Sequence, residues 1–288
     1  MAKMHLATTR PATTRPAMGC SGYLAAHARV GPSDRLEAVP NWIEHGVESA
    51  CGLCGACLAP KPPGPDVCGI CCGALDGHFD VCWSCRQIER GLRRRLHPVT
   101  PISLTTSDTG LYAALKQYKG QPSLISRRQQ VRLADLVGKF LERHGDCVAP
   151  DGYDVIVVVP SLQVRAEHHP LASTLRMLPQ VGHAVVDALY SGPARIERNV
   201  PACDAYQCRR ELVENRRVLL VDDTYTTGAH LHSAAAALED AGTREIRLLV
   251  VGRYQSWEWE PARRLLEWST ALENRWSSRC CVHCRGVR

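Results

Sequence analysis

Four short aliphatic runs, rich in β-branched residues, constrain the fold most: 154–159, 184–189, 217–221 and 246–251. Each is nearly continuous in apolar side chains. A strand with one wet face alternates apolar and polar residues, so an unbroken run predicts a strand buried on both faces. Between the last two runs lies a helical segment, Ala229 to Ala241, with Gly242 placed as a C-cap. Upstream, Leu111 to Tyr118 and Arg127 to His144 read as helices. The second carries Val131, Leu133, Ala134, Leu136, Val137, Phe140 and Leu141 on a broad apolar face. Strands and helices alternating through short connections predict a parallel α/β sheet with flanking helices.

The chain has 288 residues, enough for one large domain or an ordinary domain plus a small one. At 45% hydrophobic and 22% charged it is globular in composition. No stretch approaches the ~18 apolar residues of a membrane helix, so no membrane span is expected. A net charge of +6 is too weak by itself to argue for nucleic acid.

Residues 1–48 are expected to be a flexible leader, with a TTRP repeat and no hydrophobic period. Residues 49–97 form a cysteine-rich unit that ends in a short basic helix. Residues 98–108 read as a connector, 109–253 as the α/β domain, and 254–288 as a tail rich in Trp and Cys.

The segment from Val218 to Ala229 carries the chemistry. A buried strand ends in Asp222 and Asp223, a turn of Thr224, Tyr225, Thr226, Thr227 and Gly228 follows, and a helix opens at Ala229. The backbone N–H groups of such a turn form an anion-binding concavity, and the helix N-terminus adds its positive end. The threonine hydroxyls are further donors, and Gly228 lets the backbone approach a ligand closely. The carboxylates can each accept from a hydroxyl of a vicinal diol and favour a nearby cation. Together these features suit a sugar phosphate at the carboxyl end of a parallel strand. At a strand end both acids are expected at the surface. The chain has no G-x-x-x-x-G-K-[ST] and no G-x-G-x-x-G, so neither a P-loop nor a dinucleotide fingerprint is present.

The segment VLLVDDTYTTGA resembles the phosphoribosyl-pyrophosphate (PRPP) signature of type I phosphoribosyltransferases. With cysteine pairs upstream, and with the segments 115–120 and 153–161, the chain is most similar to the ComF-type competence family. The resemblance implies a type I phosphoribosyltransferase-like parallel sheet with flanking helices, preceded by a small cysteine-rich zinc ribbon. It implies that Asp222 and Asp223 hold the ribose hydroxyls as catalytic residues. It also implies that Thr224 to Gly228 cradle the 5′-phosphate and that Mg²⁺ enters with the pyrophosphate. Where the family has an Arg-rich loop, this chain reads Ser161 to Pro170 and keeps Arg165 as its strong pyrophosphate ligand. The catalytic-loop segment, Tyr190 to Tyr206, looks short, with Arg195, Arg198 and Asn199 partly matching the family's Arg–Asn pair. PRPP binding is therefore better supported than turnover.

Eight of the fifteen cysteines lie between Cys51 and Cys85, and three more lie at 280, 281 and 284. Cys68-x2-Cys71 and Cys82-x2-Cys85 have the spacing of a structural Zn²⁺ site, since each turn aims two thiolates at one point. Cys72 is an extra thiol able to replace Cys71. A second zinc is considered for Cys51 and Cys54 with Cys281 and Cys284, the alternative being separate exposed thiols. Cys20, Cys147, Cys203 and Cys208 read as packing residues. Metal thiolates fit a reducing, cytoplasmic setting.

Two functions follow as expectations. The first is transfer of a phosphoribosyl group from PRPP to an unidentified nitrogen acceptor. The second is a non-catalytic ComF-like module for DNA uptake, nucleic-acid handling or PRPP sensing, with competence-type protein partners. Five arginines between Arg86 and Arg95 could follow a nucleic-acid backbone, though a solvated helix face explains them better, since no aromatic stacking platform is interleaved.

Overall fold

The computed structural model describes residues 53–120, 122–161 and 169–284. The leader over 1–48, Cys51 and Arg165 lie outside these residues, and nothing is described of the Cys54 side chain. In chain order the elements are α1 (Trp83–Leu92), β1 (Val99–Thr105), α2 (Gly110–Gln117), α3 (Leu124–Val148), β2 (Val155–Val158), α4 (Pro170–Arg176), β3 (Val185–Val186), β4 (Leu189–Ser191), β5 (Tyr206–Cys208), β6 (Arg217–Tyr225), α5 (Ala229–Asp240), β7 (Glu245–Tyr254) and α6 (Glu260–Thr270).

Five strands pair in parallel in the order β1-β7-β6-β2-β3, and β4 with β5 makes a separate antiparallel pair. This is the parallel α/β sheet with flanking helices that the aliphatic runs predict. The alternation of side chains along a strand sorts them onto two faces. On β6, Val218 and Leu220 join one buried cluster with α1, α5 and the cysteine-rich segment, while Leu219 and Val221 join the other with α2, α3 and α4. Both faces are covered, which is why these strands show no polar alternation.

β1 replaces the connector expected over 98–108. The run at 184–189 is two elements, β3 and β4, and Asp187 between them pairs with Arg176 at 2.7 Å. The cysteine-rich segment shares a core with the sheet: Cys68, Cys71, Cys85, Ile88 and Leu92 cluster with Val218, Leu220, Tyr225, Leu248 and Val250. The C-terminal segment also packs back. The Trp276 indole donates to the Ile102 carbonyl at 2.8 Å, Ser269 Oγ donates to the Ala59 carbonyl, and Cys281 is buried in the second cluster. Among the described residues no helix is long and apolar enough to cross a membrane.

Candidate functional site

The chain leaves β2 toward β3 on one side and β6 toward β7 on the other, so the strand order reverses between the adjacent strands β2 and β6. In an open α/β sheet that reversal opens a crevice at the carboxyl ends of the strands. Asp222, Asp223 and Thr224 lie within β6 at this end, and the turn at 226–228 leads into α5. Thr226 is exposed, Thr224 and Thr227 are half-buried, and Gly228 and Ala229 are buried. Gly228 has φ +93°, and a Cβ there would collide with the Tyr225 hydroxyl. The ring of Tyr225 therefore lies beneath the turn rather than toward a ligand. It is fully buried, with its hydroxyl 3.5 Å from Cys85 Sγ and 3.2 Å from His232 Nε2.

Strand parity gives the two acids different surroundings. Asp223 shares the face of Leu219 and Val221 and is 3% exposed, which corrects the expectation that both acids sit at the surface. Its Oδ2 accepts from the Tyr118 hydroxyl, and Lys119 Nζ lies 2.5 Å away. Asp222 is half-buried on the opposite face, and its Oδ1 accepts from the Asp223 backbone N–H at 2.8 Å. Burial and the neighbouring Asp223 push the Asp222 carboxyl up to about 7.

Around this pair stand further polar groups. Tyr206 Oη lies 2.9 Å from His230 Nδ1, at the first turn of α5. Burial, with the Asp222 charge, pushes the Tyr206 phenol up. His169 caps α4, its Nδ1 accepting from the Leu171 N–H at 3.2 Å, and burial with the Lys119 charge pushes it down to about 4. Tyr118 and Lys119 lie in the segment that carries the family resemblance, which was their only signal. His230 follows Ala229 directly, so its place at the helix opening was legible.

The loop between β4 and β5 is held to α1 and α5. Ser84 Oγ on α1 donates to Asn199 Oδ1 at 3.3 Å, and the Ala202 N–H donates to Ser233 Oγ on α5 at 3.1 Å. Arg195 and Arg198 are exposed.

Cys68, Cys71, Cys82 and Cys85 bring four sulfurs within 4.8 Å of one another, with Cys68–Cys85 at 3.9 Å and Cys71–Cys82 at 3.8 Å. Four sulfurs about 2.3 Å from a central Zn²⁺ sit about 3.8 Å apart, so the cluster suits a tetrahedral metal such as zinc. Hydrogen bonds from Cys68, Cys82 and Cys85, together with the Arg253 guanidinium, hold the Cys71 thiol well below its ordinary range. Burial instead pushes Cys72 up, and its sulfur faces the Val99 carbonyl at 3.7 Å, so Cys72 is not positioned to replace Cys71.

Buried Arg253 links the cluster to the turn. Its Nη2 lies 3.3 Å from Cys71 Sγ, and its Nη1 donates to the carbonyls of Tyr225 at 3.3 Å and Thr226 at 3.0 Å. Nothing in the residues around Arg253 announces this role.

Of the thiols expected to form a second site, Cys51 and the Cys54 side chain lie outside the described residues. Cys281 and Cys284 gather with His144 and with Cys147, which also packs against the second buried cluster, in line with its reading as a packing residue. Of the arginines on α1 and just past it, Arg94 pairs with Glu239 at 2.8 Å and Arg86 lies over the Phe79 ring at 4.1 Å, while Arg90, Arg93 and Arg95 are exposed.

No protein-family model matches this chain, and no curated protein does. Solved structures similar to it include three phosphoribosyltransferase-related enzymes. The glutamine PRPP amidotransferase from B. subtilis, complexed with ADP and GMP, is 13% identical with a TM-score of 0.34; 60% of this chain matches 46% of that one. The Mycobacterium tuberculosis orotate phosphoribosyltransferase, in complex with inorganic phosphate, is 19% identical with a TM-score of 0.30, over 60% of this chain and 86% of that one. A phosphoribosyltransferase from Corynebacterium diphtheriae is 16% identical with a TM-score of 0.29, over 62% and 97%. The chain spans about a quarter (26%) of another similar structure, the allosteric regulatory enzyme of purine biosynthesis, and under half of the amidotransferase.

Proposed function

We propose that this chain binds PRPP with Mg²⁺ at the β6–α5 turn and transfers its phosphoribosyl group to a nitrogen nucleophile, releasing pyrophosphate. The observation that carries the reading is the position of the Asp222–Ala229 segment: an acid pair, an anion-binding turn and a helix start at the point where the strand order reverses. The backbone N–H groups of 226–228 and the hydroxyls of Thr224, Thr226 and Thr227 would hold the 5′-phosphate. Asp222, half-buried beside the Asp223 carboxylate, would accept from a ribose hydroxyl. Asp223 would act through Lys119, which it holds at the crevice. The half-buried carboxylate oxygens of Asp222 suit Mg²⁺, a hard cation that needs few protein ligands when pyrophosphate supplies the rest. In the transfer, the C1–O bond to pyrophosphate breaks and takes its electron pair with it, C1–N forms, and the nucleophile's proton leaves to solvent. A structural Zn²⁺ in the four-cysteine cluster completes the reading, with no open coordination position.

A second reading is favoured by the β4–β5 loop, which is held to α1 and α5 through Asn199 and Ala202 and leaves Arg195 and Arg198 exposed. It is a ComF-like module that binds PRPP without turnover. Isothermal calorimetry with PRPP and ribose-5-phosphate, followed by incubation of labelled PRPP with a panel of bases, separates the two. Binding lost in Asp222→Asn, with labelled nucleotide formed by the wild type, supports the transferase. Binding without product leaves the module. If the wild type binds neither ligand, both readings fail.

A further inference from the structure

We propose that His144, Cys147, Cys281 and Cys284 form a second zinc site, which clasps the C-terminal segment onto the last turns of α3. The four donor atoms lie within 4.8 Å of one another. They come as two pairs, each spaced three residues apart. His144 and Cys147 fall on adjacent turns of one helix face, and Cys281 and Cys284 flank a tight turn. His144 Nδ1 is 3.9 Å from both Cys147 Sγ and Cys284 Sγ. A tetrahedral Zn²⁺ with bonds of about 2.0–2.3 Å sets its donors about 3.5–3.8 Å apart, so the two histidine–sulfur distances need to contract by only a few tenths of an ångström.

The second shell is also in place. His144 Nε2 lies 3.0 Å from the Ser278 carbonyl, which can only accept. The Nε2 proton is thereby fixed, and the Nδ1 lone pair is left facing the sulfurs. Metal-binding histidines are oriented this way as a rule, with the far ring nitrogen donating to a carbonyl or carboxylate. The Cys281 N–H donates to Cys284 Sγ at 3.0 Å, a bond that favours a thiolate there. His144 and Cys281 are buried at 4% and 1% exposure, and Cys147 and Cys284 are half-buried. A set of three thiols and one imidazole selects a soft or borderline cation, and four protein ligands leave no position for substrate. Loading releases the three thiol protons and changes no oxidation state. Arg143, which donates to Ser278 Oγ at 2.6 Å, and Thr100, 2.8 Å from His283 Nε2, hold the same segment beside the cluster.

The site is independent of the PRPP reading. Metal analysis of the full chain, purified without chelator, should find two zinc ions, one for each donor group. Cys147→Ser should retain one, and Cys51→Ser with Cys54→Ser should retain two. Two ions in Cys147→Ser would overturn the assignment, as would the loss of one in the N-terminal double variant. Should Cys147→Ser fail to fold, the wild type decides: Cys147 and Cys284 should resist iodoacetamide until a chelator is added. Alkylation of both before chelation, or a disulfide among Cys147, Cys281 and Cys284 in freshly purified protein, would overturn it equally.

Discussion

Asp222 is the titrating group at the crevice. Its carboxyl, ordinarily near 4, is pushed up to about 7 by burial and by Asp223. Between about pH 4 and pH 7 the folded chain holds a proton there that the unfolded chain has lost, so this group's contribution to stability rises as pH falls through that window. Above pH 7 the ionised carboxylate is a cost. Asp222→Asn should therefore raise the urea midpoint at pH 8 more than at pH 5, and equal midpoint shifts at the two values would refute the shifted carboxyl. A ligand bearing Mg²⁺ favours the ionised form, so PRPP affinity should climb from pH 6 to pH 8, with proton release visible by calorimetry in buffers of different ionisation heat. Gly228 fails differently when changed. Alanine at φ +93° costs about 1–2 kcal/mol, and its Cβ would collide with Tyr225. Gly228→Ala should lose both ribose-5-phosphate and PRPP binding, and an unaffected variant would place the phosphate elsewhere.

Among the elements, the junction of α2 with β6 controls how Asp223 is held. Lys119→Met would take the paired cation from a buried carboxylate that the Tyr118 hydroxyl still reaches. Because Lys119 is 37% exposed, the loss should stay near the low end of a broken buried pair, about 1–3 kcal/mol in urea unfolding at pH 7. No change at pH 7 would mean that water serves Asp223 equally well. That junction was illegible in the sequence because parity along β6, not residue type, decides which acid is buried. β2, β6 and β7 were legible because strands covered on both faces are continuously apolar. β1 was hidden for a related reason. It is an edge strand that tolerates Pro101, and its polar side chains are buried only because they find partners: Ser103 Oγ donates to the Leu58 carbonyl at 3.1 Å, and Thr105 Oγ1 lies 2.8 Å from Thr109 Oγ1. The Cys68–Cys85 spacing announced one metal cluster. The His144 cluster joins residues more than a hundred positions apart, and its nearer pair is an ordinary-looking stretch of helix.

At the scale of the molecule, the cysteine-rich segment supports the turn at 226–228 physically. Cys71 Sγ, the Arg253 guanidinium and the Thr226 carbonyl form one hydrogen-bonded chain, and Cys85 Sγ meets the Tyr225 hydroxyl beneath Gly228. A zinc held by four thiolates would carry net negative charge, which buried Arg253 neutralises while it fixes two carbonyls of the turn. Removing the metal should leave the guanidinium without that charge and the turn without its floor. Chelation at pH 7 should then weaken PRPP binding by about tenfold or more, the loss of roughly one charge-assisted hydrogen bond. Arg253→Lys should do the same, because a point ammonium cannot span Cys71 and Thr226. Arg94→Ala, which breaks the partly exposed pairs with Glu239 and Asp240 and a bond to the Ala236 carbonyl, should change affinity little. Hydrogen exchange gives a readout that does not depend on the ligand: the amides of 226–228 should exchange faster in the chelated protein and in Arg253→Lys, but not in Arg94→Ala. If chelation leaves both exchange and affinity at wild-type values, the segment is an independent module, and its contact with the sheet carries no coupling.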